Sequence, residues 1–174
     1  MGNTTLVLAC IGQDREGLVE VLGETVMRHQ GTWLESRMAR LGGRFAGILE
    51  LELPAAAEIA FRASVEELAS SGLRVLVEST SPAAPLAFPL ELELIGLDRP
   101  GIIHQISRVL TTHGVNVEEL ETVRQNAPES GEVLFQARAS LRTPAEVDQK
   151  KLFSDLEAIA ADLMVDVVLE TPAA

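Results

Sequence analysis

Apolar residues cluster and alternate from Leu6 to Ile11, and the same grain returns from Leu90 to Ile95; runs this short, bounded by polar residues, suit β-strands. A helical period follows each. Leu18, Val21, Leu22, Thr25 and Val26 recur at three- and four-residue spacing, as do Ile102, Ile106, Val109 and Leu110, which gathers them on one face of a helix. His29 and His113 fall at the helix ends, with Gly31 and Gly114 just beyond. Two strand-like segments come next, Thr32 to Leu41 and Arg44 to Leu53, joined at Gly42-Gly43, a pair that supplies the positive φ of a tight hairpin. The second half repeats them as Val115 to Gln125 and Glu132 to Leu141, with a longer connection through Pro128 and Gly131 that is expected to be mobile. Phe61, Val65 and Leu68 give a second apolar helical stripe, and Leu152, Leu156, Ile159 and Leu163 its counterpart. Thr143 and Glu146 read as a capping box around Pro144, which would start that last helix. Leu73 to Val77 and Val165 to Leu169 are the closing strands. The order β-α-β-β-α-β, met twice, predicts an α+β chain of two ferredoxin-like domains, each a four-stranded antiparallel sheet with two helices on one face.

The halves also share a motif. Ile11-Gly12-Gln13-Asp14-Arg15-Glu16-Gly17-Leu18 recurs as Ile95-Gly96-Leu97-Asp98-Arg99-Pro100-Gly101-Ile102, a repeat that marks two like modules. Between them the proline-rich stretch with Pro82, Pro85 and Pro89 suits an extended linker. The expected domains are therefore residues 1–79 and 89–174, with a linker over 80–88.

Composition narrows the function. The 174 residues carry 14 Lys and Arg against 26 Asp and Glu, a net charge of −12, which repels phosphate backbones. Residues 1–80 hold seven basic and eleven acidic side chains, and residues 81–174 seven and fifteen, so neither half offers DNA a basic face. With 3% aromatic residues and no Tyr there is no stacking platform for single strands either, and no direct nucleic-acid binding is expected. The apolar runs are too short to span a membrane, and a cytoplasmic protein without a membrane anchor is the expectation. Cys10, the single cysteine, sits within an apolar run and is read as core packing.

The repeated Asp-Arg-x-Gly turn joins the first strand of each half to its first helix. Helix starts leave backbone N–H groups without intrahelical partners, a ready site for a carboxylate. Pro100 suits the first helical position, making Arg99 the cap and placing Gly101 in the first turn. A glycine there in both copies, Gly17 and Gly101, calls for a close approach by another backbone or a small ligand. The plainer alternative is a capped turn in which Asp14 and Asp98 satisfy stray amides. Asn116, near the start of the second strand of its half, has an amide able to donate to and accept from an α-amino acid. Its counterpart in the first half, one residue out of step, is read as Trp33. No nucleophile elbow, P-loop or dinucleotide fingerprint is present, and His29, His104 and His113 have no metal-ligand spacing with one another or with Cys10. No catalytic residue, metal or cofactor is therefore expected. His29 and His113 are read as partners of the helix dipole, and His104 as a candidate lining of an effector site.

On these residues the chain resembles the ACT domain, the small-molecule sensing module of amino-acid metabolism, over residues 4–79 and 89–170. The tandem arrangement, with Gly31-Thr32-Trp33-Leu34-Glu35-Ser36-Arg37-Met38-Ala39 followed by Leu41-Gly42, is similar to transcriptional repressors built of two such domains that govern glycine cleavage. The resemblance implies a small amino-acid effector, glycine foremost, bound where domains pair side by side near the first helix starts. Carried over residue by residue, it points to Asp14, Gly17, Leu18, Asp98, Gly101, Ile102 and Asn116 as ligand-binding. Trp33 stands where the resemblance leads one to expect asparagine, which makes the second half the better candidate. It also implies a protein partner, a transcriptional activator or another regulated protein, and uncovered strand edges favour a homo-oligomer. Two alternatives stay open: a detached regulatory subunit of a metabolic enzyme, and a small acylphosphatase-like enzyme using Arg99 and Asn116, whose phosphate loop is absent.

Overall fold

A computed structural model describes residues 2–80, 88–127 and 131–171. It divides into two compact units, Met1–Pro82 and Ala83–Ala174. Most of the linker expected over residues 80–88, and Pro128 of the loop expected to be mobile, lie outside the described residues.

The first unit runs β1 (Asn3–Gln13), α1 (Leu18–Arg28), β2 (Thr32–Leu41), β3 (Arg44–Pro54), α2 (Glu58–Glu67) and β4 (Leu73–Ser79), with a 3-10 turn on either side of α2. The second repeats it as β5 (Pro89–Leu97), α3 (Ile102–Thr112), β6 (Asn116–Asn126), β7 (Val133–Arg142), α4 (Gln149–Leu163) and β8 (Val165–Glu170). The sheets have the orders β2-β3-β1-β4 and β6-β7-β5-β8, and every pairing is antiparallel. This is the ferredoxin-like plan read from the alternation. Because strand side chains point to opposite faces in turn, Leu6, Leu8 and Cys10 of β1 and Leu49, Leu51 and Leu53 of β3 go inward and meet Leu18, Leu22 and Val26 of α1 and Phe61 and Val65 of α2. Leu90, Leu92 and Leu94 do the same in the second unit, against Ile102, Ile106 and Leu110 of α3 and Leu152 and Leu156 of α4.

The start of α4 differs from the capping box read in the sequence. Thr143 is buried, and its hydroxyl and backbone N–H both donate to the Phe88 carbonyl, at 3.0 and 3.2 Å, so it ties down the chain after β7. The helix starts five residues on, where the Asp148 carboxylate caps it by accepting from the Lys151 N–H at 3.1 Å. His29 and His113 do sit at helix ends, and each reaches sideways to the next helix. His29 Nε2 meets Ser64 Oγ at 2.9 Å and His113 Nε2 meets Asp155 Oδ2 at 2.8 Å. Among the described residues no helix is long and apolar enough to cross a membrane.

Candidate functional site

Each Asp-Arg-x-Gly turn is the hub of a small set of contacts, and the two sets correspond. The backbone N–H of Asp14 donates to Gly43 O at 3.0 Å, that of Asp98 to Val133 O at 2.9 Å, and both acceptors lie at the hairpin that follows the second strand. The carboxylates point to arginines on that strand, Arg40 Nε at 2.5 Å from Asp14 Oδ2 and Arg124 Nη2 at 2.6 Å from Asp98 Oδ2. Arg15 donates to Ser71 O at 2.7 Å, while Arg99 reaches the Met164 sulfur at 3.1 Å; both targets lie just ahead of the last strand. Arg40 and Arg124 were missed in the sequence, although they repeat the spacing that relates Asp14 to Asp98.

The helix start itself departs from the reading based on Pro100. Gly17 and Gly101 are the N-caps, with φ +83° and +93°, and the helices begin at Leu18 and Ile102. Arg99 is therefore not the cap, and Pro100 precedes the helix. A Cβ at Gly101 would meet only Gln105 Nε2 at 3.7 Å, and one at Gly17 only Glu20 Oε2 at 3.8 Å, so the left-handed backbone, not close approach, requires glycine there. Close approach belongs to the other glycine of the motif: a Cβ on Gly12 would lie 2.7 Å from Gly72 O, and one on Gly96 2.5 Å from Met164 O. Asp14 and Asp98 do not satisfy the first amides either. Neither helix start has a side-chain cap, and the first intrahelical bonds are Val21 N–H to Gly17 O and Gln105 N–H to Gly101 O, each 3.0 Å. Each unit thus presents an uncapped helix N-terminus next to a carboxylate that an arginine already holds.

Asp98, Gly101 and Ile102 come together, as do Asp14, Gly17 and Leu18; Asn116 does not join them. It pairs with Arg142, which pairs with Pro89 at the start of β5, whereas Asp98 follows Leu97 at the end of that strand. Eight residues of strand separate the two ends, roughly 25 Å at about 3.3 Å per residue. The Asn116 amide is exposed and donates to Glu118 Oε1 at 3.1 Å.

Trp33 is also not its counterpart. Both second strands carry a bulge, between Trp33 and Glu35 and between Val117 and Glu119, and matching the registers sets Asn116 against Thr32 and Val117 against Trp33. Trp33 and Met38 pack on the core of the first unit. In the second, Val117 and Leu120 stay 36% and 48% exposed, and a small apolar cleft opens between β6 and α3, lined by Ile103, Ser107, Val117, Leu120, Ala137 and Ala139. His104 is exposed in the first turn of α3. Cys10 is buried in the first core, and burial pushes its thiol pKa up against the lowering effect of backbone hydrogen bonds. Among the described residues no group of His, Cys, Asp or Glu could hold a metal ion.

Residues 4–77 match the family model of the ACT domain. The match spans the first unit, and the second repeats its strand order, helix starts and motif contacts, so the chain is built of two units on one ACT-like plan. In particular, it resembles the glycine cleavage system transcriptional repressor of Escherichia coli (strain K12), 24% identical over 162 residues that cover 91% of this chain and 85% of that protein. A crystal structure of an unknown protein from Galdieria sulphuraria superposes with a TM-score of 0.84 and 27% identity, covering 99% of this chain and all of that one. A protein assigned as a glycine cleavage system transcriptional repressor superposes with a TM-score of 0.74 over the full length of both chains at 18% identity, which shows the shared fold.

Proposed function

We propose that the protein is a non-catalytic regulator that senses a small α-amino acid, with glycine favoured, and acts on transcription of a glycine cleavage operon through a protein partner, a transcriptional activator. The observation that carries this reading is the duplicated, uncapped helix start beside Asp14 and Asp98, set in ACT-type units of a chain that resembles the E. coli repressor over nearly its whole length. A zwitterion satisfies such a site without metal or nucleophile: its carboxylate accepts from amides at Leu18 or Ile102, and its ammonium lies against Asp14 or Asp98. Gly17 and Gly101 contribute by giving the backbone its left-handed turn into the helix.

In this reading Asn116 serves the site of a neighbouring copy. If two β6 edges pair antiparallel about Glu121, Asn116 of one copy lies beside Asn126 of the other, at the end of the strand where Arg124 holds Asp98. The net charge of −12 supports indirect control, because the chain carries no excess of cations to neutralise phosphates. Isothermal titration against the common amino acids tests the sensor reading. Saturable heat with a small amino acid is expected, weakened in Asp98→Asn and Asn116→Ala; no heat from any of them at millimolar concentration would reject it.

A further inference from the structure

Helices cover one face of the first sheet, and the other face is open. Alternation places Ile11, Ile48 and Leu76 on that open face, 41%, 52% and 60% exposed, around Ala9. The registers order the rest of the face by charge. Toward one end of the strands lie Glu50 and Glu52 of β3 and Glu78 of β4; toward the other lie Arg44 of β3 and Arg74 of β4. Ile48, Ala9 and Leu76 form the row between them, with Arg37 of β2 at its edge. The corresponding face of the second sheet has no such order. It carries Glu91, Glu93, Glu119, Glu121, Asp166 and Glu170 against Arg138 and Arg142, and its exposed apolar residues do not share one row: Val123 and Ile95 lie level with Asp166, and Val168 lies level with Glu93.

We propose that the open face of the first sheet is a self-complementary interface that takes a second copy of this chain, face to face. A two-fold axis lying across the strands turns the acidic end of one face over the basic end of the other. Glu78 then stands opposite Arg74 of the second copy, Glu52 opposite Arg44 of the second copy, and the Ile48–Ala9–Leu76 row packs on itself. Each charge pair occurs twice by symmetry, and the shallow depression along Ala9, Ile11 and Leu76 receives side chains of the opposing copy. Facing sheets pack with strands within about 30° of one another, which keeps the rows in register near the centre. Four strands at about 4.8 Å spacing and eight residues of length give a face of roughly 19 by 27 Å, or about 1,000 Å² over both copies, near the lower limit for a specific interface. The association is accordingly reversible.

Sedimentation velocity of the full chain across a concentration series tests this. Self-association is expected in the wild type, with Ile48→Glu or Leu76→Glu weakening it at least about tenfold, because each buries two unpaired charges per dimer. Arg74→Glu weakens it by about fivefold or more through repulsion from Glu78, and the swap Arg74→Glu with Glu78→Arg restores it. Both positions are exposed, so circular dichroism of the charge variants stays as in the wild type. A wild type that remains monomeric, or association indifferent to Leu76→Glu and to Arg74→Glu, overturns the proposal; association lost on Arg74→Glu and not recovered by the swap overturns the pairing.

Discussion

At Gly17 and Gly101 the backbone turns left-handed into a helix, and a side chain there is strained whatever space surrounds it. Gly101→Ala is therefore expected to destabilise the second unit by about 1 to 2 kcal/mol, lowering its Tm by several degrees in a thermal melt. A variant that binds no ligand because Gly101 was replaced has to be checked for folding first. Cys10 behaves in the opposite way, since its role is packing. With its thiol pKa raised by burial, less thiolate is present at a given pH, so alkylation at pH 8 should be far slower in the native chain than in denatured chain. Labelling at equal rates would contradict the burial. At this scale the sequence was informative about which residues recur and less about why. Gly101 and Gly96 both looked like motif glycines, but telling a positive φ from a close approach requires the path of the chain before α3 and the start of β8. The arginines holding Asp14 and Asp98 lie on another strand, and no local pattern links Arg40 or Arg124 to the turn.

Elements were read more surely than their ends. Thr32–Leu41 appears with the bounds the alternation suggested, β6 and β7 are each shifted by one residue, and the other strands extend the readings by only a few residues, because period-two burial is a local signal. The start of α4 was misread because Thr143-Pro144-Ala145-Glu146 has the composition of a capping box, while the hydrogen bond of Thr143 to Phe88 is a tertiary fact. The difference is measurable: Asp148→Ala should cost about 1 kcal/mol of stability by denaturant unfolding, whereas Glu146→Ala should change little. The reverse order would restore the capping box. The offset that relates Asp14 to Asp98 already sets Thr32 against Asn116 and Trp33 against Val117, and the matching bulges in β2 and β6 keep that register. The separation of Asn116 from Asp98 was hidden in the chain path: α3 carries the chain back to the far end of the sheet, so β6 starts there at Asn116 and reaches the turn that follows β5 only at its other end, near Arg124.

For the whole molecule, duplication and charge were the legible features, and they carry the functional reading. Two ACT-type units with the same hub of contacts at their helix starts, on a chain of net charge −12, suit a sensor that works through another protein. Electrophoretic mobility shift of duplex DNA by the purified chain is accordingly expected to be absent at physiological salt, and to appear only with a DNA-binding partner present. The most direct test of the central claim is an amide-resolved spectrum of the nitrogen-15-labelled chain during titration with glycine and other small amino acids. Saturable shifts centred on the amides of Gly101, Ile102 and Ile103, or of Gly17, Leu18 and Val19, are the predicted result. An unchanged spectrum at millimolar amino acid, or shifts confined to residues remote from both helix starts, would contradict it.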